Sequence, residues 1–168
     1  MVVLVTGVAG AGKSTVGAEL AKRLGWLFIE GDALHSEQNI ARMARGEPLT
    51  DGDRAPWLAL LRCRIEETLE RGVPAVIATS ALRNNYREQL KAGDARVLHV
   101  FLDAGPDVAR SRLQQRRGHF FRPELLDSQY EALERPDDAL KLPAELPVAI
   151  LVDRIIEHLE PYHRGSDT

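Results

Sequence analysis

Val2-Val3-Leu4-Val5-Thr6 runs directly into Gly7-Val8-Ala9-Gly10-Ala11-Gly12-Lys13-Ser14, and from Lys13 the pattern turns helical, with Val16, Leu20 and Leu24 on one face. The loop fits G-x-x-x-x-G-K-[ST] at every fixed position, with the required strand before it and helix after it. Glycines let the main chain curl until several N–H groups face one point. The positive end of the following helix is aimed at the same point, which suits phosphate. Gly7, Val8, Ala9, Gly10, Ala11 and Gly12 therefore read as the cradle of a nucleoside triphosphate. Lys13 reaches the β- and γ-phosphates, Ser14 is the metal-ligand candidate for Mg²⁺, and Thr15 is placed near the α-phosphate.

Working outward, Trp26–Ile29, Pro74–Thr79 and Val97–Leu102 read as buried strands, and Ala139–Leu142 as a weaker last one. Helices are expected over His35–Arg45, from Pro56 through Leu69, over Asn85–Lys91, Pro106–Arg116 and Glu124–Leu133. In the Pro56 helix, Trp57, Leu60, Leu61, Ile65 and Leu69 form the apolar set, and Val108 and Leu113 point inward from the Pro106 helix. Val148–Val152 looks like a strand, yet Val148, Leu151, Val152, Ile155, Ile156 and Leu159 recur at helical spacing behind Pro147. Pro147–Glu160 is therefore assigned as a helix. Buried, non-alternating strands separated by helices define an α/β fold with a parallel sheet covered on both faces.

The chain has 168 residues, 44% hydrophobic and 28% charged, with a net charge of −3. That is one domain, read here as residues 1–160 with a loose tail over 161–168. An acidic balance disfavours a nucleic-acid partner, so an anionic ligand must be held by local positive charge. No apolar run approaches the length of a membrane span, and nothing resembles a signal peptide, which points to the cytoplasm. The single cysteine, Cys63, excludes an internal disulfide and reads as a small packing residue.

Asp32 follows the second strand, at the end that faces the same crevice as the glycine loop in a doubly wound sheet. It can accept the proton of a substrate hydroxyl, or it can simply cap a turn. His35, three residues on, is either a substrate donor or a surface histidine. Thr50-Asp51-Gly52-Asp53-Arg54 offers a capping box between Thr50 and Asp53, or an anion clamp through Arg54, and Arg83 is a second candidate cation at the crevice. Arg110-Ser111-Arg112-Leu113-Gln114-Gln115-Arg116-Arg117-Gly118-His119, followed by Phe120-Phe121, suits a mobile lid over about 116–130 that brings arginines to the phosphates. GTPase chemistry is disfavoured, since neither Asn-Lys-x-Asp nor a strand followed by Asp-x-x-Gly occurs. The Pro74–Thr79 strand ends without an acid while Asp103 follows the next one, which leaves the second metal ligand open.

With these pieces placed, the chain resembles the gluconokinases of the thermoresistant type, relatives of shikimate kinase and adenylate kinase among the P-loop kinases. The matching segments are GVAGAGKST (Gly7–Thr15), EGDALHSEQNIARMARGEPLTDGDRAPWL (Glu30–Leu58), SALRNNYRE (Ser80–Glu88) and RLQQRRGHFFRPELLDSQYEALERP (Arg112–Pro136). The resemblance implies a three-layer P-loop kinase fold with five parallel strands in order 2-3-1-4-5. It implies transfer of the ATP γ-phosphate to the terminal hydroxyl of D-gluconate, giving 6-phospho-D-gluconate, with Mg²⁺ as cofactor and a homodimer as assembly. It puts gluconate near Asp32, His35, Arg54, Arg83 and His119, and ATP under Arg112 and Arg116, with Lys13, Asp32 and Arg116 as the catalytic set. A kinase for another small acceptor, such as shikimate or a different sugar acid, is the alternative. Two departures stand out: Ala9 and Ala11 replace serines common in the family, and Pro143-Ala144 stands where an aspartate often follows the last strand.

Overall fold

A computed structural model describes residues 1–115 and 125–163. The strands are β1 (Val2–Thr6), β2 (Leu27–Glu30), β3 (Ala75–Thr79), β4 (Val97–Asp103) and β5 (Leu140–Pro143). The helices are α1 (Lys13–Leu24), α2 (Glu37–Ala44), α3 (Asp51–Glu70), α4 (Asn84–Lys91), α5 (Pro106–Gln115), α6 (Leu126–Ala132) and α7 (Val148–His163). The five strands lie in order β2-β3-β1-β4-β5, and every pairing is parallel.

Alternation along β1 explains the three layers. Val3 and Val5 pack with Val16 and Leu20 of α1 and with Leu151, Val152, Ile155 and Leu159 of α7. Val2 and Leu4 face the other way, onto Trp57, Leu61 and Ile65 of α3 and Leu90 of α4. All five residues of β1 are buried, so the strand is uniformly apolar up to Thr6 despite its two faces. A third, smaller cluster joins Met43 of α2 to Leu49 and Leu125, beside the crevice.

The ambiguous run at Val148 is helical, and α7 continues past Glu160 through Pro161 to His163. The helix thus takes in the first residues of the expected tail. α3 begins at Asp51, a turn before the expected start at Pro56. The reason is local. Thr50 Oγ1 accepts from the Asp53 N–H, and the Asp53 carboxylate accepts from the Thr50 N–H, so the capping box starts the helix there. Cys63 and Leu60 are exposed, contrary to expectation, because the buried face of α3 runs through Trp57, Leu58, Leu61, Ile65, Thr68 and Leu69. On α5 the inward residue beside Leu113 is Ala109 rather than Val108.

His99 of β4 is buried beneath α4, with its Nε2 2.7 Å from Thr6 Oγ1. Burial, with Arg87 nearby, pushes its pKa down to about 4. The unfolded chain therefore binds this proton more readily than the folded chain between about pH 6.5 and pH 4. The stabilisation is complete above the unfolded value and is lost as pH falls through that window. Lowering the pH from 7 to 5 should cost about 2 kcal/mol through His99 alone. The expected readout is a fall in unfolding free energy between pH 7 and pH 5 that is smaller by about that amount in His99→Gln.

Candidate active site

The glycine loop is fixed by its surroundings as much as by its sequence. Gly7, Gly10 and Gly12 have φ of 149°, 81° and 93°. A Cβ on Gly10 would stand 2.4 Å from the Ala109 carbonyl oxygen, and one on Gly7 would stand 2.7 Å from that of Leu102. Only glycine allows the loop to lie this close to β4 and α5. The Gly12 carbonyl then accepts from the Val16 N–H and starts α1.

Lys13 folds back over the loop and donates from Nζ to the Val8 carbonyl at 3.1 Å. Its Nζ stands 3.9 Å from Asp32 Oδ2. The other oxygen of Asp32 is tied down. Oδ1 accepts from the Ser80 N–H at 2.9 Å, from Ser80 Oγ at 3.1 Å and from Thr79 Oγ1 at 3.4 Å. Asp32 sits on a single 3₁₀ turn, Gly31–Leu34, at the end of β2, and the end of β3 supplies these donors. Sequence reading placed Asp32 at the crevice but did not single out Ser80, the residue that orients it.

Glu30 was missed as well. The last residue of β2, it lies with Lys13, Ser14 and Asp32 in the wall of a cavity of about 400 Å³. Burial raises its carboxyl pKa and Asp32 adds to that, while a hydrogen bond with the Ser14 side chain and the charge of Lys13 oppose. A carboxylate two residues before Asp32 was visible in the sequence, but its pairing with Ser14 depends on the β2–β3–β1 strand order.

His35 and Arg54 line the same cavity. The His35 ring stacks on Trp57 with centroids 4.3 Å apart and planes 14° from parallel. Trp57 is held by its own bond, Nε1–H to the Gly31 carbonyl at 2.8 Å. Burial lowers the His35 pKa to about 4, so the ring is neutral near pH 7. Its Nδ1 is buried without a hydrogen-bond partner among the described residues. Arg54 donates to the Leu49 carbonyl at 2.7 Å while keeping its place in the wall. The capping box of the Thr50–Arg54 stretch is present at the start of α3, and Arg54 faces the cavity.

Arg83 is placed elsewhere. Its Nη1 pairs with Asp51 at 2.9 Å on the exposed side of α3, outside the cavity wall. Arg112 of α5 lies on the far side of the glycine loop, donating to the carbonyls of Gly10, Ala11 and Ala144. With Thr15, Leu146 and Val148 it lines a second cavity of about 340 Å³. The carbonyl of Ala144, in the segment that departs from the family pattern, holds this arginine at 2.8 Å. Asp103 pairs with Arg135 at 3.3 Å and does not enter either cavity. Arg116 and His119 lie outside the described residues, as does most of the expected lid. The remainder of that lid forms Leu125 and the start of α6, whose Ser128 and Gln129 line the main cavity.

Residues 2–136 match a family described as an AAA domain. The chain is 43% identical over 160 residues to a gluconokinase of Gluconobacter oxydans, covering 94% of this chain and 90% of that protein. It is 39% identical to the thermoresistant gluconokinase of Escherichia coli, covering 90% and 89%. The crystal structure of a gluconokinase from Sinorhizobium meliloti superposes with a TM-score of 0.83 at 37% identity, covering 98% and 96%. Shikimate kinase of Aquifex aeolicus, at 22% identity and a TM-score of 0.59, shares the fold. With the loop, the acid beside it and these relatives together, the chain belongs to the gluconokinase family of P-loop kinases.

Proposed function

We propose that this chain transfers the γ-phosphate of ATP to the terminal hydroxyl of D-gluconate, giving 6-phospho-D-gluconate and ADP. One observation carries the reading: the Lys13 ammonium and the free oxygen of Asp32 stand 3.9 Å apart beside the glycine loop, at a cavity that also presents Arg54 and neutral His35. Gluconate needs such a pocket, with one end offering a hydroxyl for activation and the other a carboxylate for a cation. The names of the curated relatives support that acceptor.

In this mechanism the loop N–H groups and Lys13 hold the triphosphate. Asp32 Oδ2 accepts the proton of the acceptor hydroxyl while its Oδ1 stays bound to Ser80. The hydroxyl oxygen forms a bond to the γ-phosphorus, the bond to the ADP oxygen breaks, and Lys13 stabilises the charge on the transferred group. Arg54 takes the gluconate carboxylate, and His35, stacked on Trp57, is a neutral partner for a hydroxyl. Arg112, Thr15 and the second cavity serve the far side of the nucleotide, and Arg83, Arg116 and His119 remain proposed contacts of the closed complex.

Mg²⁺ fits the oxygen donors present: the Ser14 hydroxyl, the Glu30 carboxylate and the Asp32 carboxylate line the same cavity. Among the described residues no cluster of three His, Cys, Asp or Glu groups is able to cage an ion. That suits a metal held largely by water and phosphate. When bound, Mg²⁺ would supply charge neutralisation on the phosphate oxygens. None of the helices in the described residues is long and apolar enough to cross a membrane. We place the enzyme in the cytoplasm, as a homodimer.

Asp32→Asn should retain ATP binding and lower kcat by roughly 10²–10⁴-fold, measured by ADP release at saturating ATP and gluconate. Unchanged turnover would remove Asp32 from the base role. Lys13→Ala should abolish transfer and weaken nucleotide binding. In a panel of small acids and polyols, gluconate should give the highest kcat/KM. Turnover with shikimate or another sugar acid, and none with gluconate, would overturn the acceptor assignment.

A further inference from the structure

The Ala9 N–H does not point into open space. It donates to Gln129 Oε1 of α6 at 2.6 Å. The donor fixes the amide orientation, since only the oxygen of the glutamine head can accept. α6 is anchored around this residue. Leu126 is fully buried, Tyr130 Oη donates to the Ala104 carbonyl at 2.8 Å, and Asp127 pairs with Arg110 at 2.8 Å. Gln129 is thus presented to the loop by a fixed helix.

Ala9 lies at the γ end of the cradle. Lys13 Nζ, the group that reaches the β- and γ-phosphates, is bonded to the carbonyl of Val8, the residue before Ala9. The same Nζ neighbours Asp32. Ala9 and Gln129 line the cavity that holds Asp32, His35 and Arg54, whereas Thr15 and Arg112 line the cavity on the other side. A terminal phosphate oxygen on this side of the loop would compete with Gln129 for the Ala9 N–H.

We propose that Gln129 distinguishes a nucleoside triphosphate from a diphosphate: its carbonyl holds the Ala9 N–H until a γ-phosphate oxygen takes that bond, and the released amide N–H₂ then donates to the phosphoryl group in transfer. ADP has no γ-oxygen and leaves the Gln129–Ala9 bond intact. The inference rests on the kinase reading above, but its nucleotide half is independent of which acceptor is used.

The test is calorimetric binding of Mg²⁺-ADP and of a non-hydrolysable Mg²⁺-ATP analogue to the wild type, Gln129→Glu and Gln129→Leu, with turnover measured on all three. A carboxylate at 129 still accepts from Ala9 but repels the γ-phosphate. Gln129→Glu should bind ADP within about twofold of wild type and the triphosphate analogue roughly tenfold or more weakly. Unaltered ADP binding also reports an intact fold. Gln129→Leu should keep ADP affinity and lose roughly tenfold in kcat at saturating ATP and gluconate. If Gln129→Glu weakens both nucleotides equally, or neither, the residue is only a structural clamp and the proposal is overturned. Wild-type kcat in Gln129→Leu would overturn it too. The predicted nucleotide discrimination without transfer to any sugar acid would support the role of Gln129 while sinking the gluconate assignment.

Discussion

The site depends on a steric constraint. The glycine loop is pressed so closely against β4 and α5 that Gly7 and Gly10 have no room for a side-chain carbon. That closeness fixes the path of the loop and seats Gly12 at the start of α1. It also decides where Lys13 ends, since its ammonium reaches back to the Val8 carbonyl and stands beside Asp32. The core residues of β1, α1 and α7 act on the chemistry only through this seating.

Charge in the cavity is balanced rather than simply positive. Lys13 and Arg54 are set against Glu30 and Asp32, with His35 kept uncharged by burial. A neutral imidazole exchanges hydrogen bonds with hydroxyl groups without adding a cation that would compete with Arg54 for a carboxylate. Glu30 is the costly member, half-buried and close to a second carboxylate. The Ser14 hydroxyl and the Lys13 charge offset part of that cost, and a divalent cation there would lower the remaining repulsion.

The sheet was legible because β1, β3 and β4 are short, apolar and bounded by breakers, and because the loop motif states which strand comes first. The helical reading of Val148–Leu159 was recoverable because its apolar positions follow a helical repeat even though the five residues Val148–Val152 look like a strand. Pro56 marks a first turn by sequence, but the Thr50–Asp53 box starts α3 earlier, and a proline in the second turn lacks an N–H for the Gly52 carbonyl without ending the helix. In the site, Asp32 and His35 were readable from their positions after β2, and Arg54 from its place beside the Thr50–Asp53 capping box, in the first turn of α3. Ser80, Glu30 and Gln129 were not, because each matters through a partner 48, 16 or 120 positions away, and only the parallel strand order and the packing of α6 bring those partners together. Arg83 was plausible by position and is drawn to Asp51 by the exposed start of α3.

Asp32 is proposed to aim one particular alcohol at the γ-phosphorus held by the loop. Phosphorus and carbon NMR of the product formed from ATP and D-gluconate tests it most directly. The account predicts one phosphate ester, on the terminal carbon, formed in step with ADP. An ester on another carbon, or ADP appearing with inorganic phosphate and no ester, would contradict it.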